Sequence, residues 1–424
     1  MTPGVSRQAI DRLIARAPLQ KLFKALEGEE IRVVGGAVRN ALLGEAIADI
    51  DIAAAALPQT IAEKAEKAGM RVVPTGLDHG TLTLVFDGTH FEVTSLREDV
   101  ETDGRRAKVR FGRDFAADAR RRDFTINALS VDARGQLYDY AGGLEDLAAR
   151  RIRFIGAPEQ RIAEDFLRIL RFFRFSACYG AGPLDAPGLA ACIALRAGLK
   201  NLSRERLGAE TLKILAAPRA AFVIETMSRA GLLAYLGIAP WPARMRRLTA
   251  LLAARESADP LLALAALALH SQADADRLAE SLRLSKAQKR RLEAMAQVCA
   301  LWHGAERAPE PAHLREALFV HGRAAARDGL ALIQAESPAL PDDSGFLRAE
   351  AFLRDTPAPK TPFAASDLIA RGLTQDAGLG GALKRLQALW IRAGFPEDPQ
   401  TIARLIDAAL DAPEGESRWT RPRQ

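Results

Sequence analysis

The hydrophobic period changes once along the chain, and that change limits the folds open to it. Up to about residue 157, short β-branched runs alternate with amphipathic segments. "IRVVGG" reads as a strand ending in glycines, "AVRNALLG" as a helix with a glycine stop, and "DIDIAA" as the next strand. "TIAEKAEKAGM" is a charged amphipathic helix; "RVVPTG", "TLTLVFDG" and "THFEVTSLR" are strand-like, with Asp87-Gly88 as turn punctuation. "EDVETDGRRAKVRFGRDFAADA" is polar and weakly patterned and reads as a mobile loop. From about Pro158 the β-branched runs disappear, and Ala, Leu and Arg recur with a helical period. Turn clusters at "GAGPLDAPG", "GIAPWPARM", "GAERAPEPA" and "ESPALPDDSG" cut this part into helical blocks, with no repeat of fixed length. The fold class is therefore α+β: a mixed head followed by a long all-helical remainder.

The bulk numbers bound the function. The chain has 424 residues, 48% hydrophobic and 26% charged, which suits a soluble globular protein of several packed units. A net charge of +6, a pI near 9.4 and Arg-rich clusters suit a polyanion partner, and equally a solvated arginine surface. Three scattered cysteines, Cys178, Cys192 and Cys299, without CxxC spacing, argue against a disulfide framework or a zinc site. The polar N-terminus lacks a signal-peptide core, and no apolar run is long and charge-free enough to span a membrane, so a cytoplasmic protein is expected.

Chemistry concentrates in the head. "ADIDIAAAAL" sets Asp49 and Asp51 one residue apart in an apolar run. On a strand both carboxylates point the same way, about 7 Å apart, and such like charges call for something positive between them. Upstream, "VVGGAVRN" is a strand, a glycine pair and a helix start. Gly35-Gly36 permits close backbone approach to a phosphate, although a tight turn explains the pair on its own. Arg39 stands one turn into that helix, within reach of a phosphate. Phosphate binders followed by an Asp-x-Asp strand suggest a nucleotide held over divalent metal, Mg²⁺ preferring a few carboxylates plus phosphate oxygens. Glu92 in "HFEVTSLR" is a candidate third carboxylate; the alternative is a solvated acid on an edge strand. In "RRRDFTINALSVD", Arg122 can pair with triphosphate, and Asp123 or Asn127 can hold ribose hydroxyls. The bland alternative is a basic loop entering the core.

"AEDFLRILRFFRFSA" is the most informative helix. Asp165, Arg168, Arg171 and Arg174 recur every three residues, while Phe and Leu fill most of the remaining circumference. A buried charged row needs partners. A carboxylate only accepts and a guanidinium only donates. An Asp165–Arg168 pair would therefore match the amino donor and ring-nitrogen acceptor of cytosine and adenine, and reject guanine and uracil. A buried intrahelical salt bridge is the competing explanation.

Together, "GGAVRNALLG…DID", "RRDFTINAL", "DYAGGLEDL", "EDFLRILRFFRF" and "LSRERLGAETLKIL", over about residues 30 to 215, resemble the bacterial class II tRNA nucleotidyltransferase and poly(A) polymerase family. The resemblance implies a polymerase-β-like head over 1–150, a helical neck with the base-reading helix over 151–215, a helical body over 216–330, and a tRNA-binding helical tail over 331–424. It implies addition of C, C and A from CTP and ATP to the tRNA 3′ end, with Mg²⁺ on Asp49 and Asp51. It gives Gly36, Arg39 and Arg122 phosphate contacts, Asp165 and Arg168 base reading, and Arg171 and Arg174 the triphosphate side. "LSRERLGAETLKIL" looks structural, with Ser203 as a helix cap. One departure is Asn40, where the family usually has Asp; if that Asp orients Arg39, the role is weakened here. "PTGLDHGTLTLV" replaces the GRRF-type segment of the poly(A) polymerases and favours the CCA side, and "ETDGRRAKVRF" supplies the loop that CC-only enzymes tend to lack. Partial (CC or A) addition, polyadenylation and a non-catalytic RNA-binding relative remain the alternatives. No His-Asp doublet of an appended phosphohydrolase is found, His270 being followed by Ser271.

Overall fold

The computed structural model describes residues 7–76, 80–103, 106–253, 259–374 and 377–411. The chain forms two compact units, Met1–Ile238 and Ala239–Gln424, divided within the "GIAPWPARM" turn cluster.

In the first unit, α1 (Arg7–Ile14) and α2 (Ala17–Ala25) precede β1 (Ile31–Val34), α3 (Gly36–Leu43), β2 (Ile50–Ala54) and α4 (Pro58–Lys67). Then come β3 (Arg71–Gly76), β4 (Thr81–Phe86), β5 (Thr89–Ser95), β6 (Arg97–Asp103) and β7 (Arg106–Phe111). α5 (Phe115–Arg121), β8 (Ser130–Asp132), β9 (Leu137–Tyr138) and α6 (Gly143–Ala148) complete the head. A seven-stranded sheet runs β3-β4-β5-β2-β1-β8-β9, antiparallel except for the parallel β2–β5 pair. Local chemistry fixes several features. Asp87 and Gly88, both at positive φ, close the two-residue β4–β5 hairpin. Pro74 sits at a register shift on edge strand β3, where a missing N–H costs least. Gly44, left-handed, ends α3 as expected from "ALLG".

The segment expected to be a mobile loop is different. Residues 97–103 and 106–111 pair as the antiparallel strands β6 and β7, and Asp114 caps α5 by accepting from the Ala116 and Ala117 N–H groups. The charges masked a period-two pattern in "RAKVRF", where Ala107, Val109 and Phe111 alternate with basic residues. Residues 104–105 between the strands lie outside the described residues.

The rest of the unit is helical: α7 (Pro158–Glu164), α8 (Leu167–Tyr179), α9 (Ala186–Ala194), α10 (Arg204–Leu215) and α11 (Ala220–Arg229). The unit extends past 215 to Ile238 because α11 packs against α8 and α10. "AEDFLRILRFFRFSA" is not one helix. The backbone turns extended at Asp165, whose Oδ1 accepts from Leu167 N–H as a cap does. The next ring, Phe166, packs so closely on Gly198 that any Cβ there would collide with it. Beyond the break, α8 is buried as expected: Phe172 and Phe175 join Phe124 and Phe154 in an aromatic core with neighbouring centroids 4.9–6.4 Å apart.

The second unit contains α12 (Pro242–Leu251), α13 (Pro260–Ala268), α14 (Gln272–Ser281), α15 (Lys286–Trp302), α16 (Pro311–Val320), α17 (Gly322–Glu336), α18 (Ser344–Asp355), α19 (Ala365–Ile369), α20 (Ala377–Arg392) and α21 (Pro399–Asp411). Pro at the first helical turn and Ser capping boxes at Ser271 and Ser285 set several of the starts. Two apolar clusters hold it, one around Val298, Leu330 and Phe346 and one around Trp390 and Leu386. No helix among the described residues is long and apolar enough to cross a membrane.

Candidate active site

The site is built on the ends of the central strands. β1 is buried throughout and leads into Gly35, whose φ of 69° suits glycine alone. A Cβ on Gly35 would stand 2.8 Å from Nη1 of Arg122, so the missing side chain lets that guanidinium lie over the turn. Asp118 holds Arg122 at 3.1 Å.

Asp49 directly precedes β2, and Asp51 is the one exposed residue of that strand. Asp51 is in register with Glu92 on β5. β5 lies between β4 and β2, so Glu92 is not on an edge strand, although its side chain is exposed. Partial enclosure, then the Glu92 charge and that of Asp49, push the Asp51 carboxyl above its usual range, with Arg122 pulling the other way. Among the described residues, no three His, Cys, Asp or Glu side chains gather closely enough to hold a metal by themselves. The donor set is thus two neighbouring aspartates beside a third acid, which fits a hard divalent cation that takes its remaining ligands from phosphate and water.

A polar chain runs behind the glycine turn. Arg171 pairs with Oδ2 of Asp123 at 2.5 Å, and Asn127 donates to Asp123 Oδ1 at 3.0 Å. Burial opposes the Asp123 charge, but Arg171, Asn127 and the Phe124 N–H outweigh it and hold the carboxyl below its usual range. Asn127 Oδ1 in turn accepts from Arg39 Nη1, and Arg39 also donates to the Tyr179 hydroxyl. Arg39 Nε and Nη2 both donate to Asn40 Oδ1, at 3.0 and 2.8 Å. The amide oxygen orients Arg39 with two hydrogen bonds, without the charge that the family's Asp would add.

Gly35, Gly36, Arg39, Asp51, Arg122, Asp123, Asp165, Arg168 and Arg171 line one cleft of about 550 Å³, together with Asn127, Leu167, Phe175 and Arg206. Of the other candidates, Asp49 and Glu92 stand beside Asp51, while Arg174 turns to Glu210 on α10 at 2.7 Å and does not line the cleft. The competing intrahelical salt bridge between Asp165 and Arg168 does not form. Asp165 Oδ2 accepts from Arg206 Nη2 at 2.8 Å. Arg168 uses Nη1 for both of its contacts, the Glu164 carboxylate and the Arg161 carbonyl, each at 2.6 Å. The helix break explains this, because it places Asp165 off the helical row. Arg206 escaped sequence reading: it sits in a segment read as structural, and nothing local ties it to an acid 41 positions away.

Comparison with known proteins follows the same division. Residues 31–153 match the model described as the poly A polymerase head domain, and residues 186–240 the model described as a probable RNA and SrmB-binding site of polymerase A. A Streptococcus gordonii protein named CCA-adding enzyme is 40% identical over 221 residues. Over these residues the chain belongs with the class II family of CCA-adding enzymes and poly(A) polymerases. Another relative in the family, from Danio rerio, is named CCA tRNA nucleotidyltransferase 1, mitochondrial, and is 39% identical over 264 residues. These matches cover 52% and 61% of this chain, and the chain spans 54% and 61% of the relatives' own lengths. A crystal structure described as the Bacillus stearothermophilus CCA-adding enzyme in complex with CTP superposes with a TM-score of 0.70 at 25% identity, over 97% of this chain and 98% of that one. The likeness in fold therefore extends through the helical second unit, beyond the last of the sequence motifs.

Proposed function

We propose that this chain is a CCA-adding tRNA nucleotidyltransferase, which adds C, C and A from CTP and ATP to the tRNA 3′ end without a nucleic-acid template. The observation that carries the reading is one cleft in which Asp51, in register with Glu92, faces a set of arginines and the Asp165–Arg168 region. In this reading the 3′-hydroxyl oxygen bonds to the α-phosphorus, the bond to the β-phosphate oxygen breaks, and pyrophosphate leaves. Asp49 and Asp51 would hold Mg²⁺, which when bound neutralises phosphate charge and favours the ionised hydroxyl. Arg39, Arg122 and Arg171 orient the triphosphate, and Gly35 and Gly36 let it approach the backbone. Asp123 positions Arg171 and Asn127 and meets the sugar. Arg174 supports α8 from the Glu210 side. Asp165 keeps lone pairs beyond those taken by Leu167 and Arg206, and Arg168 keeps Nη2 and Nε, so the pair can still read an amino donor beside a ring acceptor.

The domain division of 1–150, 151–215, 216–330 and 331–424 belongs to the same proposal, as do tRNA contacts from the body and tail and a cytoplasmic location. The names of the relatives and the basic composition support the tRNA contacts. The segment set against polyadenylation, "PTGLDHGTLTLV", includes residues 77–79, which lie outside the described residues.

Incorporation of radiolabelled CTP and ATP into tRNA lacking its 3′ end tests the proposal. Incorporation of both, in order, is expected. Only C, only A, or an A tract would assign partial addition or polyadenylation instead, and no incorporation would favour an RNA-binding relative.

A further inference from the structure

The polar chain through Arg39 does not end at Arg39. Asn40 Nδ2 donates to the carbonyl of Ala46 at 2.8 Å, and Ala46 lies on the irregular stretch three residues before Asp49. We propose that Asn40 is a positioning residue that ties Arg39 to the segment delivering Asp49, and that this tie requires an amide. The inference rests on the nucleotidyltransferase reading above.

Polarity dictates the argument. A guanidinium has five N–H donors. Four hydrogen bonds from Arg39 go to Asn40, Asn127 and Tyr179, which fixes its plane and leaves one Nη1 hydrogen for a ligand in the cleft it lines. Arg39 can only donate, so Asn40 must turn its oxygen toward it. The Nδ2 group then faces away, toward an oxygen that can only accept, the Ala46 carbonyl. Each half of the amide is thus used in the one orientation its neighbours allow. An aspartate would keep the bonds to Arg39 but set a carboxylate oxygen against the Ala46 carbonyl, losing the tie and adding repulsion. The same logic fixes Asn127, whose Nδ2 faces Asp123 and whose Oδ1 faces Arg39. The chain of alternating donors and acceptors therefore reaches from Arg171 on α8 to the approach of Asp49, and Asn40 is its last link.

The test separates the two ends of the amide. Asn40→Asp keeps the Arg39 bonds and removes the Ala46 bond; Asn40→Ala removes both. Hydrogen–deuterium exchange over residues 44–49, Mn²⁺ binding followed by electron paramagnetic resonance, KM for CTP and the melting temperature are measured on the full chain. Asn40→Asp is expected to speed exchange in 44–49 and weaken Mn²⁺ binding about fivefold, the equivalent of one hydrogen bond, with KM for CTP near wild type. Asn40→Ala should show the same Mn²⁺ defect and also raise KM for CTP. Wild-type exchange and Mn²⁺ binding in Asn40→Asp would overturn the proposal. So would a uniform loss in both variants of melting temperature, KM and metal binding together. Failure of the wild-type protein to incorporate either nucleotide would refute the functional reading, while exchange and Mn²⁺ binding would still decide the tie.

Discussion

Asp51 is expected to cost the free protein stability and to give it activity, and Asp51→Asn separates the two. Enclosure and the charges of Glu92 and Asp49 raise the Asp51 carboxyl above its usual range. A carboxyl raised in the folded state contributes its stability below the unfolded pKa and loses it as pH rises through the folded value. At pH 7 the ionised group is therefore unfavourable, and the neutral amide should raise the melting temperature without metal. Asp51 is exposed, so solvent screens the repulsion, and the gain is bounded by surface-pair magnitudes of about 0.2–1 kcal/mol. For a unit of this size that is at most about 2–4 °C. The gain should vanish below about pH 4, where the carboxyl is protonated whether folded or not. Mg²⁺ reverses the order. At ten times its dissociation constant it should stabilise the wild type by about 1.4 kcal/mol and the variant far less. Loss of a ligand worth several kcal/mol should cut nucleotide incorporation by about a thousandfold or more. Melting curves at pH 4 and 7, with and without Mg²⁺, beside CTP incorporation, check all of this. An Asp51→Asn protein that melts lower than wild type at pH 7 without metal, or turns over normally, would refute the reasoning.

Asp165→Asn should let UTP and GTP be incorporated measurably, since an amide both accepts and donates; a destabilised variant that still refuses them, in a four-nucleotide incorporation assay, would make Asp165 a salt-bridge residue of Arg206. Gly35→Ala places a Cβ where φ is positive and Arg122 Nη1 is 2.8 Å away. It should lower stability by about 1–3 kcal/mol and raise KM for both nucleotides, as melting and steady-state kinetics will show. Deleting residues 103–106 at the end of the β6–β7 hairpin should impair A-addition more than C-addition, and equal losses measured with CTP alone and with both nucleotides would remove the hairpin from any switching role.

What the sequence disclosed follows from where the information is local. Period-two runs and glycine or Asp-Gly punctuation gave the strands of the head, because side-chain alternation and positive φ are properties of adjacent residues. Asp49, Asp51 and the glycine turn were legible for the same reason. The β6–β7 hairpin was not, since its charged residues hid the alternation of "RAKVRF". The break at Asp165 was hidden too. It depends on Gly198 making room for Phe166, a contact 32 positions away that no helical period encodes.

That break matters for how selectivity could arise. On an unbroken helix, Asp165 and Arg168 would neutralise one another and present little to a base. Off the helical row, each is held by a different partner: Asp165 by Arg206 from α10, and Arg168 by Glu164 at the end of α7. The acceptor and the donor are thereby kept apart, each charge balanced but not consumed, and both open to one cleft. A carboxylate and a guanidinium held in this way can meet the donor and acceptor of a single base edge at once. In the proposed reading, Arg206 and Glu164, which sequence reading left aside, act on selectivity through the two residues they hold.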